Sequence, residues 1–168
     1  MLHSIKLFVV FVCLTSSTAL FANTTISMHL TTANGAGQSV GTVTIIENKY
    51  GLLFIPKLRN LTSGLHGFHI HEMPSCEQNG MAAGGHLDPR KTGKHLGPYN
   101  DNGHLGDLPA LYVVADGSAT LPLLAPRLHH LKDIQNHALM IHEGTDNYSD
   151  APEKLGGGGK RMICGIIK

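Results

Sequence analysis

Residues 39–47 read SVGTVTIIE, a β-branched run of the kind that a pleated, half-buried strand prefers. The neighbouring stretches continue the pattern, because residues 26–32 alternate apolar and polar side chains and residues 51–58 form another apolar run. Asn34-Gly35 lies between the first two runs and is a turn signal for a β-hairpin. This part of the chain therefore predicts consecutive short strands joined by turns.

Short apolar runs of the same kind continue to the end of the chain, and helical periodicity is scarce. Asp116-Gly117 supplies a second hairpin signal. The further candidate strands are residues 65–71, 111–115, 119–124, 138–142 and 162–167. Eight regularly spaced strands predict an all-β fold, an antiparallel sandwich or barrel.

Two long stretches interrupt the strand pattern. Residues 72–109 are rich in Gly, Pro, Asn and His, and residues 143–160 are rich in Gly and charge. Loops of this length are uncommon in a compact domain unless they are functional. Something must offset the entropy lost when they become ordered, and a disulfide or metal ligands would do so.

The N-terminal segment has the composition of a targeting signal. Lys6 gives a positive start, residues 7–14 are an apolar run, and small residues precede position 23. The run is far shorter than the roughly 20 apolar residues that a membrane-spanning helix needs. We therefore predict a signal peptide over residues 1–22 and a single domain over residues 23–168, with no membrane attachment once the signal is removed.

The cysteine count changes when the signal is removed. The chain has three cysteines, and loss of Cys13 leaves Cys76 and Cys164. An even count in an exported protein suggests a disulfide, with two buried free thiols as the alternative.

The charge balance excludes one class of partner and the histidine count favours one kind of site. With 13 Lys and Arg against 12 Asp and Glu, the chain lacks the basic excess of a nucleic-acid binder. The 12 His point instead to metal or pH chemistry.

The histidines are spaced like metal ligands. His69 and His71 stand at i and i+2, so both side chains face one side of a strand, although a pair on a solvent face would look the same. The other candidate ligands are His86, His95, His104, Asp107 and His142. Six His and one Asp make seven donors, whereas two four-coordinate ions need eight, so one shared imidazole would complete both sets. An all-imidazole site suits Cu²⁺ and a His₃Asp site suits Zn²⁺.

The other histidines of the mature chain have no comparable setting and are interpreted as structural or surface residues. They are His29, His66, His129, His130 and His137. His129 and His130 follow closely after Arg127, and this segment is interpreted as a solvated loop.

Taken together, five stretches resemble the copper/zinc superoxide dismutase family, specifically its bacterial secreted branch. They are GFHIHE (67–72), GGHLDPRKTGKHLGP (84–98), GHLGDLPAL (103–111), ALMIHEGTDNYSD (138–150) and GGGGKRMICGI (156–166). The resemblance covers residues 25–168. It implies an eight-stranded antiparallel Greek-key β-barrel with the metals outside the barrel wall, between two long loops.

The resemblance also implies a function and a location. The chain would be an oxidoreductase of the periplasm that disproportionates superoxide to O₂ and H₂O₂ with one copper and one zinc per subunit. It would act on superoxide rather than nucleic acid or membrane, and a homodimer is possible. The alternatives are a secreted copper and zinc buffer without turnover, and a zinc hydrolase that uses a metal-bound water.

The family's site residues carry over to matching positions. Copper would be held by His69, His71, His86 and His142, and zinc by His86, His95, His104 and Asp107, with His86 as the shared ligand that also carries a proton. Asp146 would join His69 to His95 from beyond the metals. Arg161 would be the active-site arginine, and Cys76 and Cys164 would form the intrasubunit disulfide.

Overall fold

The computed structural model describes residues 22–168. The predicted signal peptide, residues 1–22, lies outside these described residues apart from Ala22. The strands are β1 (Asn23–Thr32), β2 (Gly35–Asn48), β3 (Gly51–Leu58), β4 (Gly64–His66), β5 (Phe68–His71), β6 (Leu111–Val113), β7 (Leu123–Ala125), β8 (His137–His142) and β9 (Arg161–Ile167). Three short 3₁₀ helices cover Met81–Ala83, Leu131–Asp133 and Lys154–Gly157. Within residues 22–168, no helix has the length and apolar character to cross a membrane.

The strands form one curled sheet and one small ribbon. Seven strands are hydrogen-bonded in the order β5-β8-β9-β1-β2-β3-β7, and β4 pairs with β6 in a separate two-stranded sheet. Every paired strand is antiparallel to its neighbour. The all-β antiparallel prediction is confirmed, and the two long loops connect β5 to β6 and β8 to β9.

Two predicted strands differ most from the structure, while the other boundaries shift by a few residues. The run at residues 65–71 is two strands, because Gly67 leaves the ladder and its N–H donates to Gly144 O at 2.8 Å. The break lets β4 pair with β6 while β5 pairs with β8. The run predicted over residues 119–124 starts only at Leu123, although Ala119 makes an isolated bridge to Leu58.

The alternation along β5 separates the core from the histidines. Phe68 and Ile70 are buried in the main hydrophobic core, where Phe68 meets Phe54 edge to face with ring centroids 5.7 Å apart. Because successive side chains point to opposite faces of a strand, His69 and His71 lie on the outer face of the sheet. The predicted same-side placement of this His pair is confirmed.

A disulfide ties the first long loop to the last strand. Cys76 and Cys164 are bonded to each other across a sequence separation of 88 residues. The bridge packs with Ala83 and Met140 in a small apolar cluster apart from the main core. The suggested disulfide is therefore present, and it anchors the segment that precedes His86.

Removing this bridge should destabilise the protein. We expect the double variant Cys76→Ser, Cys164→Ser to lose roughly 4 kcal/mol of unfolding free energy, because a long closed loop no longer restricts the unfolded chain. Denaturant unfolding at equal metal loading measures the effect, with wild type unfolded under reducing conditions as the control. An unchanged midpoint in both would mean that the bridge contributes nothing to stability.

Candidate metal centre

The first long loop lies along the open edge of β5. Ile70 N–H donates to Gly106 O at 2.9 Å, and Leu87 N–H donates to Ile70 O at 2.8 Å. A Cβ at Gly106 would collide with the carbonyl of Ile70, so the close approach requires glycine there. The loop thereby acts as a further strand beside β5, and isolated bridges pair His69 with Asp107 and His71 with His86.

The four predicted copper ligands converge in the structure. One ring nitrogen from each of His69, His71, His86 and His142 lies within 4.8 Å of all the others, and all four residues are buried. His71 Nε2 and His142 Nε2 are 3.4 Å apart. The opposite nitrogens of these two rings are held by backbone carbonyls, since His71 Nδ1 lies 3.0 Å from Gly84 O and His142 Nδ1 lies 3.3 Å from Gly159 O. The Nε2 atoms are thus the ones available to an ion.

The predicted zinc ligands surround the carboxylate of Asp107. Its Oδ1 lies 2.9 Å from His86 Nδ1, and its Oδ2 lies 3.1 Å from His95 Nδ1. His104 Nδ1 is 3.5 Å from Oδ1. The ring nitrogens and carboxylate oxygen that lie within 4.8 Å of one another here come from His69, His86, His95 and Asp107, so His104 stands farther out. The His69 ring stacks on His86 with centroids 4.0 Å apart.

Unsatisfied nitrogens mark the ring atoms that could hold ions. Four buried ring nitrogens make no well-aligned hydrogen bond within the described residues: His69 Nδ1, His86 Nε2, His95 Nδ1 and His104 Nδ1. Of these, His95 Nδ1 still lies within ion-pair distance of Asp107. Buried polar atoms are normally paired, so this cluster of nitrogens fits a donor set for metal.

His69 and His86 each belong to both groups of possible ligands, but they differ in how many ring nitrogens remain free for an ion. His69 Nε2 is already held by Asp146 at 2.7 Å, which leaves only Nδ1 for a single ion. His86 has Nδ1 beside Asp107 and Nε2 unpaired, so it can offer one nitrogen to each of two ions.

Asp146 comes from the second long loop and joins the two ligand sets. Its Oδ2 accepts from His69 Nε2 at 2.7 Å and its Oδ1 accepts from His95 Nε2 at 2.8 Å. Gly156 adopts a left-handed φ of 71° beneath this carboxylate, and a Cβ there would collide with Oδ1. The contacts match the role that the resemblance implies for Asp146.

The predicted copper ligands are neutral imidazoles, the protonation state that a metal ligand needs. Burial lowers the pKa of His69 to about 3 and that of His142 to about 4. Burial also lowers the pKa of His71 and of His86. These rings are therefore neutral at physiological pH, with lone pairs free to bind a cation.

The predicted zinc ligands differ from the predicted copper ligands, because they include charged groups. Burial opposes a charge on His95, but the neighbouring carboxylates of Asp107 and Asp146 outweigh it and raise the pKa of His95 to about 9. Burial likewise opposes the charge on the two carboxyl groups, yet contacts with the histidine rings hold their pKa values below the usual range. In the metal-free chain His95 keeps a proton that an incoming ion must displace.

Arg161 lies at the start of β9 and reaches the segment fixed by the disulfide. Its Nη1 donates to Gly80 O at 2.8 Å and its Nη2 donates to Gly84 O at 2.7 Å. Gly84 O also contacts His71 Nδ1, so the guanidinium and a predicted copper ligand share one carbonyl. The neighbouring Lys160 is exposed and lies 3.7 Å from the carboxylate of Glu143.

His66, interpreted only as structural or surface, supports the centre directly. It is buried, and its two ring nitrogens lie 2.8 Å from His142 O and 2.8 Å from Thr62 O. The contact to His142 fixes the backbone of a predicted ligand. The remaining histidines, His29, His129, His130 and His137, belong to no possible metal group among residues 22–168.

Comparison with known sequences finds a matching family model and relatives that belong to the same family. A family model described as copper/zinc superoxide dismutase (SODC) matches residues 39–167. A Cu-Zn superoxide dismutase of Salmonella typhimurium is 55% identical over 164 residues, which are 92% of this chain and 93% of the relative. One from Haemophilus ducreyi is 58% identical over 139 residues, 78% of this chain and 70% of the relative.

Solved structures agree with the sequence relatives. The Cu/Zn superoxide dismutase of Brucella abortus has a TM-score of 0.83 and 49% identity, and the match covers 88% of this chain and 100% of that one. The monomeric copper, zinc superoxide dismutase of Salmonella enterica has a TM-score of 0.77 and 54% identity, with the same coverage. The family model, the close relatives and the shared fold lead to one conclusion: the chain belongs to the copper/zinc superoxide dismutase family.

Proposed function

We propose specific roles for the residues of this superoxide dismutase. The ligand sets are His69, His71, His86 and His142 for copper, and His86, His95, His104 and Asp107 for zinc. The observation that carries the assignment is the pair of overlapping buried groups with unsatisfied ring nitrogens, in which His86 alone has one nitrogen on each side. A nitrogen-only set suits Cu²⁺, and three imidazoles with one carboxylate suit Zn²⁺.

The reaction combines two superoxide anions and two protons to give one O₂ and one H₂O₂. Copper supplies the one-electron chemistry when it is bound, since Zn²⁺ has no redox chemistry. His86 Nε2 has no partner within the described residues, so it can hold a proton and donate it to the peroxide product. Nδ1 of the same ring stays beside Asp107, which keeps the ring in position for the next cycle.

Arg161 provides the fixed positive charge for an anionic substrate. The carbonyls of Gly80 and Gly84 hold its guanidinium, so the cation is oriented before substrate arrives. A planar donor fork suits a small oxyanion, and an oriented cation raises the local concentration of anions.

The decisive experiment measures turnover together with metal content. We expect purified protein to contain one copper and one zinc per chain and to consume superoxide at a rate that a chelator abolishes. Protein that binds both metals but leaves superoxide decay no faster than buffer does would instead be a metal buffer.

Loss of Arg161 should lower the rate of superoxide consumption without removing copper or zinc from the protein. We expect Arg161→Ala to lower kcat/KM about tenfold at low ionic strength, because the oriented cation is gone. Copper and zinc analysis checks that the ligands remain loaded, since the variant also frees Gly84 O. Lys160→Ala is the matched control and should change the rate less, because Glu143 already offsets that charge. An unchanged rate in Arg161→Ala would remove this residue from the mechanism.

We also propose export to the periplasm and assembly as a homodimer. Residues 1–22 support export, and mass analysis of the periplasmic fraction tests whether the chain begins near residue 23. Leu65 and Tyr112 support a dimer, because they lie opposite each other on β4 and β6 and are 52% and 47% exposed. The Salmonella enterica relative is described as monomeric, so a light-scattering mass of one chain would overturn the dimer.

A further inference from the structure

Arg127 follows β7 in a segment that is anchored to the barrel. Its neighbour Leu128 is buried in the main core, and Leu128 O accepts a hydrogen bond from Leu52 N–H at 2.7 Å. The side chain of Arg127 is only 11% exposed. The segment interpreted from sequence as a solvated loop therefore begins with a largely buried cation on a fixed backbone.

The guanidinium of Arg127 donates to three backbone carbonyls of the first long loop. Nη1 donates to His104 O at 2.9 Å and to Gly97 O at 3.3 Å, and Nη2 donates to Gly103 O at 3.0 Å. Nε lies 3.3 Å from Asp101 Oδ1, but that carboxylate is 85% exposed, so solvent weakens the ion pair. The carbonyl contacts are the main function of this side chain.

These carbonyls belong to residues that carry or contact the proposed zinc ligands. His104 is itself a proposed ligand, and Gly97 N–H donates to Oδ2 of Asp107, another proposed ligand, at 3.3 Å. Residues 88–105 form neither strand nor helix, so no regular ladder fixes their backbone. The guanidinium of Arg127 supplies hydrogen-bond donors to these carbonyls, as the N–H groups of a neighbouring strand would do in a sheet.

We propose that Arg127 is a positioning residue for the zinc site. Its planar fork fits several carbonyls at once, which the single ammonium of a lysine cannot reproduce. It acts through the backbone of His104 and through Gly97, whose carbonyl it holds and whose own N–H contacts Asp107. The inference rests on the proposed zinc ligands and adds a residue outside the two long loops to their support.

A residue that only stabilised the fold would behave differently. Its loss would lower the melting temperature of the apoprotein and leave the geometry and affinity of the metal site unchanged. A positioning residue changes the affinity and the ligand field, because the donors no longer stand at the correct distances.

The test is Co²⁺ titration of the apoprotein, followed by its visible absorption and by Zn²⁺ displacement. The band that disappears in His104→Ala identifies the zinc site. We expect Arg127→Gln to weaken Co²⁺ and Zn²⁺ binding about 10- to 100-fold, as loss of partners behind a ligand commonly does, and to alter the band. Arg127→Lys should be intermediate.

Arg90→Gln is the matched control. Arg90 is a cation of the first long loop, and its Nη1 donates to Asp101 O at 2.9 Å, away from any proposed ligand. We expect it to bind Co²⁺ like wild type.

The outcomes separate the two hypotheses. Unchanged affinity and spectrum in a folded Arg127→Gln overturn the positioning role and leave the proposed function intact. If Arg127→Gln does not fold, Arg127→Lys decides in the same way. A wild type with no band that depends on His104 overturns the zinc assignment itself, together with this proposal.

Discussion

We expect His86→Ala to remove both metals from the protein and to lower superoxide consumption to the rate seen in buffer. The expectation follows from the two nitrogens of His86, of which Nδ1 lies 2.9 Å from Asp107 and Nε2 has no partner within residues 22–168. Without the ring each set falls from four donors to three. The affinity for each ion should drop by more than the roughly 10- to 100-fold that losing a supporting partner costs.

Metal analysis after dialysis measures this effect, and two single-site variants give its scale. His71→Ala should reduce copper alone, and His104→Ala should reduce zinc alone. His130→Ala, which removes an exposed ring outside the centre, should reduce neither. A His86→Ala protein that lost only one of the two metals would contradict the shared ligand.

Asp146→Asn has the second-largest expected effect. The carboxylate accepts from His69 Nε2 and from His95 Nε2, one ring from each set. An amide keeps the size of the side chain but places an NH₂ group against one of these N–H donors. We expect about 10- to 100-fold weaker binding at one site or both, because the affected ring is no longer held in its ligand orientation.

Glu153→Gln is the matched control for Asp146→Asn. Glu153 is an exposed acidic residue of the same second long loop, and its change to an amide should leave metal binding like that of wild type. Competition titration with a chelator of known affinity compares the two variants. Equal metal affinities for Asp146→Asn and wild type would show that the bridge between His69 and His95 does not orient them.

The sequence alone was most informative for features that depend on the spacing of residues along a strand or on the number of residues of one type. The spacing of His69 and His71 predicted their shared face, and β5 confirms it by burying Phe68 and Ile70 on the other side. The donor count predicts one shared imidazole, which stays a prediction; the proposed shared ring, His86, has Nδ1 beside Asp107 and Nε2 without a partner within residues 22–168. The cysteine count suggested the disulfide in the same way.

Sequence was insufficient where a contact is purely tertiary. Nothing local indicated that Arg127 would donate to carbonyls more than twenty residues earlier, although His129 and His130 after it are exposed, as a solvated loop requires. The interpretation of His66 as structural or surface did not identify its partner, because the carbonyl of His142 is 76 residues away. The break at Gly67 was also missed, since an apolar run does not show where a strand changes partner.

The loop that lies along β5 has a further consequence for the protein without its metals. The hydrogen bonds from Ile70 and Leu87 occupy the outer side of the last strand in the sheet. If loss of the ions let this loop detach, β5 would present unpaired amide and carbonyl groups, which is the template for edge-to-edge association between molecules. We therefore expect the metal-free protein to self-associate more readily than the metal-loaded protein.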